Sequence, residues 1–203
     1  MEKISKVGKD FEETLEELLN ENNLTKEEVV WKAGATKKAL FKGETKEVIV
    51  YKKEDIYSFI KKYLKEVINN LGLDVTFEVK KQEDRAVVKM YSDNNAILIG
   101  HNGNTLKALE TIVKQKIQLE TGIYFVIKLD VENYNDKKVA RIERLAKQTA
   151  REVKKTKVAA KMENMNAYER RIVHNVLTNF KGVTTKSEGE EPNRHVIVSP
   201  DKE

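Results

Sequence analysis

The sequence predicts an α+β fold of three small domains in series, at residues 1–52, 53–133 and 134–203. Three observations carry this. Apolar residues recur at helical spacing in some stretches and at every second position in others, so amphipathic helices are mixed with short strands. At 203 residues the chain has room for more than one core, and each segment holds apolar stripes of its own. The charge also divides with the segments. Residues 1–53 hold 11 basic and 11 acidic side chains, residues 54–133 hold 11 and 12, and residues 134–203 hold 16 and 10. The net charge of +5 therefore comes from the last third, the part suited to a polyanion partner through counterion release.

In the first segment, Asp10 and Glu13 can cap a helix in which Phe11, Leu15, Leu18 and Leu19 share a face, and Asn22 with Asn23 should end it. Glu28 to Lys32 and Glu47 to Tyr51 read as short strands, the second rich in β-branched residues. Gly34 to Gly43 between them reads as a loop or hairpin tip. So small a unit buries little apolar surface. It is expected to dock on the rest of the chain, a second copy or a partner. Trp31, Leu40 and Phe41 are candidate anchors, or else fill its own core.

The second segment opens on a strong helical stripe: Ile56, Phe59, Ile60, Tyr63, Leu64, Val67, Ile68 and Leu71, closed by Gly72. Val75, Phe77 and Val79 alternate as a strand, Gln82 to Arg85 is a polar turn, and Ala86 to Tyr91 returns as a second strand. Asp93 can cap a short helix through Ile99. After Gly100-His101-Asn102-Gly103 comes a longer helix with Leu106, Leu109, Ile112, Val113 and Ile117 on one side. A strand with Ile123, Phe125, Ile127, Leu129 and Val131 closes the segment.

The Gly-x-x-Gly loop between two helices is the chemical feature of that segment. Glycine lets backbone approach a ligand closely, and the amides opening the second helix carry partial positive charge. A nucleic-acid backbone can pass over such a loop while bases lie in an adjacent apolar groove. No Gly-Lys-Ser/Thr follows, so it is not a nucleotide-binding P-loop.

The third segment begins with a long helix over Val139 to Val153, wet on the side of Arg141, Arg144, Lys147 and Arg151; Val158 to Met162 is a short strand or turn. Asn166 with Glu169 forms a capping box for a helix running to Gly182, with Ile172, Val173, Val176, Leu177 and Phe180 as its stripe. Arg170 and His174 are four apart and neighbours. Their face is expected to point away from the stripe and to carry Arg171, Thr178 and Lys181. A guanidinium fork beside a second donor suits a phosphate diester. Val183 to Thr185 and His195 to Val198 read as strands around a polar loop from Ser187 to Pro192.

The run Met165-Asn-Ala-Tyr-Glu-Arg-Arg-Ile-Val-His and the later Ser187-Glu-Gly-Glu-Glu-Pro resemble the bacterial Jag family, also called KhpB or SpoIIIJ-associated. The resemblance covers the whole chain. It implies a Jag N-terminal domain, a type II KH domain with Gly100 to Gly103 as its loop, and a domain named for arginine, three residues, then histidine. It implies an RNA-binding regulator, with RNA chaperone activity, acting in cell elongation and cell-wall synthesis. Gly100, His101, Asn102 and Gly103 would contact the backbone of single-stranded RNA or DNA, joined by Lys107. Arg170, Arg171, His174, Ser187 and Arg194 would form a second surface. Implied partners are a small KH protein of the KhpA type, membrane-bound cell-wall or insertase proteins, and a second copy of the chain. The inner residues of the KH loop, often basic in the family, are here His101 and Asn102. The alternatives are an interaction scaffold with weak nucleic-acid binding and a ribosome-associated factor.

An enzyme is not expected. The chain has no cysteine and only three histidines, His101, His174 and His195, spread over two segments, so no thiolate, metal or cofactor site is expected. Ser187 and His195 lack an acid partner. With no apolar run near ~18 residues and no signal-peptide core, a cytoplasmic protein is expected, held at the membrane only through partners.

Overall fold

In the computed structural model, which describes residues 1–39, 43–82 and 85–201, the mixed pattern resolves into an α+β chain with three three-stranded sheets. Contacts divide it into two units, Met1–Glu132 and Asn133–Glu203. No helix among the described residues is long and apolar enough to cross a membrane.

The first unit begins with β1 (Ile4–Gly8), α1 (Phe11–Glu21), β2 (Val29–Ala39) and β3 (Gly43–Lys52), the strands antiparallel in the order β1-β3-β2. Asp10 caps α1 as its sequence predicts, its Oδ1 accepting the Glu13 amide at 3.0 Å. Leu15, Leu18 and Leu19 then bury against Val29, Val48 and Val50. The expected loop from Gly34 is a strand instead. A register shift between Ala33 and Thr36 precedes the pairing of Thr36, Lys37, Lys38 and Ala39 with Lys46 to Gly43. Backbone bonds hold that end, and its side-chain pattern does not announce a strand. Trp31, opposite Val50, is 38% exposed, so it is only partly covered. Leu40 and Phe41 lie outside the described residues.

Ile49 and Tyr51 point to the sheet face opposite Val48 and Val50, and they too are buried. On that face Lys32, paired with Ile49, reaches over Gly122. The N-terminal sheet thus lies against the segment that follows it, with no linker between, since α2 (Lys53–Asn69) starts where β3 ends. A helix C-terminus is negative, and α4 (Asn104–Thr121) has no basic residue in its last turn; Lys32 brings the cation there.

Ile56, Ile60, Leu64 and Ile68 of α2 are fully buried. They cover a sheet of β4 (Val75–Gln82), β5 (Arg85–Ser92) and β6 (Ile127–Val131). β4 and β5 are antiparallel, and β6 runs parallel to β5. α3 (Asn95–Ile99) and α4 connect β5 to β6, giving the order αββααβ. Two expectations need correction. The cap position of α3 is Asn94, and Asp93 instead accepts the Ser92 hydroxyl at 2.8 Å. The last strand starts at Ile127, not Ile123. Phe125 keeps the alternating burial but lies before the paired strand, its ring against Tyr57 with 6.0 Å between centroids.

The second unit holds α5 (Tyr134–Thr156), β7 (Ala160–Asn164), α6 (Ala167–Leu177), β8 (Val183–Glu188) and β9 (His195–Pro200), with strand order β7-β9-β8. Ala146, Ala150 and Val153 of α5, Val173 and Leu177 of α6, and Val183, Val196 and Val198 of the sheet form one core. The capping box on α6 is complete in both directions, 2.9 and 3.0 Å. The helix stops at Leu177 rather than Gly182, with the Phe180 amide folding back to the Leu177 carbonyl. Ser187, expected in a loop, is within β8.

Candidate nucleic-acid interface

The Gly100–Gly103 loop is shaped by its backbone. Gly100 sits at φ 69°, ψ 179°, a conformation open essentially only to glycine, and a Cβ there would run into the Thr105 side chain. Asn102 and Gly103 follow at φ 54° and 81°. The turn closes through the Gly103 amide on the Gly100 carbonyl at 3.2 Å. His101 and Asn102 are thereby carried outward and are exposed. Gly103 hands the chain to the 18-residue α4 without a side-chain cap, so the helix's positive end opens beside the loop. Lys107, one turn further, is exposed, as is Ile97 on α3 at 46%. A loop, a cation and an apolar side chain are the parts a single strand needs.

The second group of residues is arranged differently from its expectation. Arg170 is buried, its side chain 9% exposed. Its Nη1 donates to the Met165 carbonyl and to Glu191 Oε1, both at 2.7 Å. The expected cationic outer face fails at this residue for a geometric reason. Arg170 precedes Leu177 by seven residues, two turns, so the two point within about 20° of each other. It lies beside the apolar stripe rather than opposite it.

His174 is half-buried and fully engaged. Nδ1 lies 2.7 Å from Thr185 Oγ1 and Nε2 lies 2.8 Å from Ser187 Oγ. Thr185 and Ser187 are two apart on β8, so both hydroxyls face α6. Burial, and then the charge of Arg170, lower the His174 pKa below the ordinary histidine value. The imidazole is therefore neutral near pH 7, donating one bond and accepting the other.

The structure thus brings His174 and Ser187 together and joins Arg170 to Glu191, in the connection between β8 and β9. Arg194, in the same connection, is exposed, and its carbonyl accepts the Met165 amide at 2.8 Å. Arg171 is exposed on the far side of α6. Sequence reasoning did not single out Thr185, Glu191 or Tyr168. Thr185 and Ser187 are a strand-spaced hydroxyl pair, which was readable. Glu191 as the partner of Arg170 was not, because a turn in the chain brings them together.

Residues 59–135 match the KH domain family, and residues 140–200 match the domain family named for arginine, three residues, then histidine. The first span contains the Gly100–Gly103 loop, and the second contains Arg170, His174, Ser187 and Arg194. Over 208 residues the chain is 35% identical to RNA-binding protein KhpB of Clostridium symbiosum, spanning 100% of this chain and 94% of that one. The chain belongs to the KhpB family. RNA-binding protein KhpB of Bacillus subtilis is 30% identical over 207 residues, covering 98% of this chain and 99% of its own length. The KhpB of Lactiplantibacillus plantarum is 32% identical over 137 residues, which span 68% of this chain and 42% of that longer protein. The family likeness therefore extends over the N-terminal sheet as well as the KH and Arg-x-x-x-His segments.

Proposed function

We propose that this KhpB-family chain binds single-stranded RNA, with the Gly100–Gly103 loop as its primary contact with the strand and the Arg-x-x-x-His unit as a second. Its relatives are named for RNA binding, and the two matched domain families are consistent with that. The observation that carries the proposal is the exposed Gly100–Gly103 turn opening onto the uncapped start of α4. Phosphates would approach the glycine backbone and helix amides, Lys107 would add charge, and bases would lie toward Ile97. Within the Arg-x-x-x-His unit, Arg170 and His174 act from inside. Arg170 fixes the connection carrying Arg194, and His174 orients the Ser187 and Thr185 hydroxyls. The cellular role we propose, control of cell elongation and cell-wall synthesis with a KhpA-type partner, rests on the family resemblance.

The test is a gel-shift titration of the whole chain in which both His101 and Asn102 are replaced by Asp. Two carboxylates in front of a phosphate chain should weaken binding at least tenfold, with the melting temperature unchanged. Wild-type affinity for the double variant would remove the loop from the site. A parallel titration with DNA of the same sequence shows whether the ribose hydroxyl is read.

A further inference from the structure

We infer that Tyr168 is a base-stacking site for single-stranded RNA, with Arg171 as its phosphate partner; this rests on the RNA-binding function proposed above. With Arg170 and His174 turned inward, the solvent side of α6 consists of other residues. Tyr168, Arg171 and Asn175 are spaced three and four apart, fall within about 60° of one another on the helix, and are all exposed. Tyr168 keeps 66% of its surface in water. Its position is held from behind. The capping box fixes the first turn of α6, and the neighbouring Glu169 pairs with Lys138.

An exposed ring on a rigid turn with a guanidinium one turn away suits a nucleobase on the ring and a phosphate on the arginine. Every base has a face to stack, so such a site binds single strands with little sequence preference. Charge favours this occupant, since residues 134–203 hold 16 basic side chains against 10 acidic ones. Tyr168 lies opposite the buried side of the helix, so replacing it leaves the core intact.

The test labels the whole chain with 3-fluorotyrosine and follows the Tyr168 fluorine signal, identified by its loss in Tyr168→Phe. A single-stranded RNA dodecamer and an abasic ribose-phosphate strand of equal length are titrated in turn. The RNA should shift the Tyr168 signal through the ring current of a stacked base; the abasic strand should not. Affinity for the RNA should fall roughly five- to a hundredfold in Tyr168→Ala and stay near wild type in Tyr168→Phe. Arg171→Ala should weaken the RNA and abasic strands alike. RNA that binds the wild type while the Tyr168 signal stays still, with Tyr168→Ala binding as tightly, overturns the stacking site alone. A wild-type chain that binds no RNA overturns the RNA-binding function and the stacking site together.

Discussion

Replacing Arg170 by alanine separates two physical roles for the most recognisable residue of the Arg-x-x-x-His segment. As an outward phosphate contact, Arg170 would leave stability nearly untouched, and its loss would reduce the salt dependence of RNA binding by about one counterion. The geometry supports the other role. Removing the guanidinium strands the Met165 carbonyl in a buried position, at roughly 1–3 kcal/mol. The lost packing of the buried stem adds about 1 kcal/mol. The ion pair itself adds little, under ~1 kcal/mol, because Glu191 is 57% exposed and stays hydrated. Arg170→Ala should therefore destabilise the second unit by about 3 kcal/mol, and Glu191→Gln by less than ~1 kcal/mol. The only tryptophan, Trp31, sits in the first unit and is silent here. The assay is amide hydrogen exchange in α6, with far-UV circular dichroism across a urea titration. RNA affinity should fall at every salt concentration with an unchanged slope. Normal exchange protection with a slope lower by one would refute the argument and return Arg170 to the RNA surface.

The stability of the second unit should depend on pH through His174. Its folded pKa lies below the unfolded value near 6.5, through burial and then Arg170, so the unfolded state takes up the proton first. The contribution is complete above the unfolded value and is lost as pH falls through the folded one; urea midpoints should rise with pH up to the unfolded value and level off above it, and His174→Gln should flatten the rise. Gly100→Ala should cost roughly 1–3 kcal/mol in the first unit and weaken RNA binding, because both the backbone angle and Thr105 exclude a Cβ. Thermal unfolding read at Trp31 checks the first part and gel shift the second. Asn166→Ala should lower second-unit stability by about 1 kcal/mol through loss of the α6 cap, measured by circular dichroism.

How much was legible depended on where the information sits. Elements fixed by local pattern were readable: the Asp10 and Asn166 caps, the α2 stripe, and the Gly-x-x-Gly turn before α4. Elements fixed by pairing were not. The far end of β2 is polar and becomes a strand only because β3 lies beside it. Phe125 keeps the alternating burial of a strand, but backbone pairing with β5 begins only at Ile127, and which residues find a ladder partner is not written in the local pattern. Ser187 reads as a loop residue, but β9 extends its strand. The position of Arg170 is a different case. Its seven-residue spacing from Leu177, which sets its angle on the helix, was in the sequence.

A sequence signature identifies a residue without saying which way it faces. In the Arg-x-x-x-His unit the arginine and histidine are the most conspicuous polar residues of α6, and both have their bonds within the protein. Arg170 ties α6 to the β8–β9 connection through Glu191, and His174 ties it to β8 through two hydroxyls. A helix joined in this way to a strand and to the connection that follows it holds its outer residues in fixed positions. The proposed ligand contacts are then Tyr168 and Arg171, whose spacing is set by the helix, and Arg194, whose peptide is held by Met165. If so, variants of the inner pair should lose stability and binding together, whereas variants of the outer residues should lose binding alone. Measuring both quantities for the same set of variants tells the framework from the contact surface.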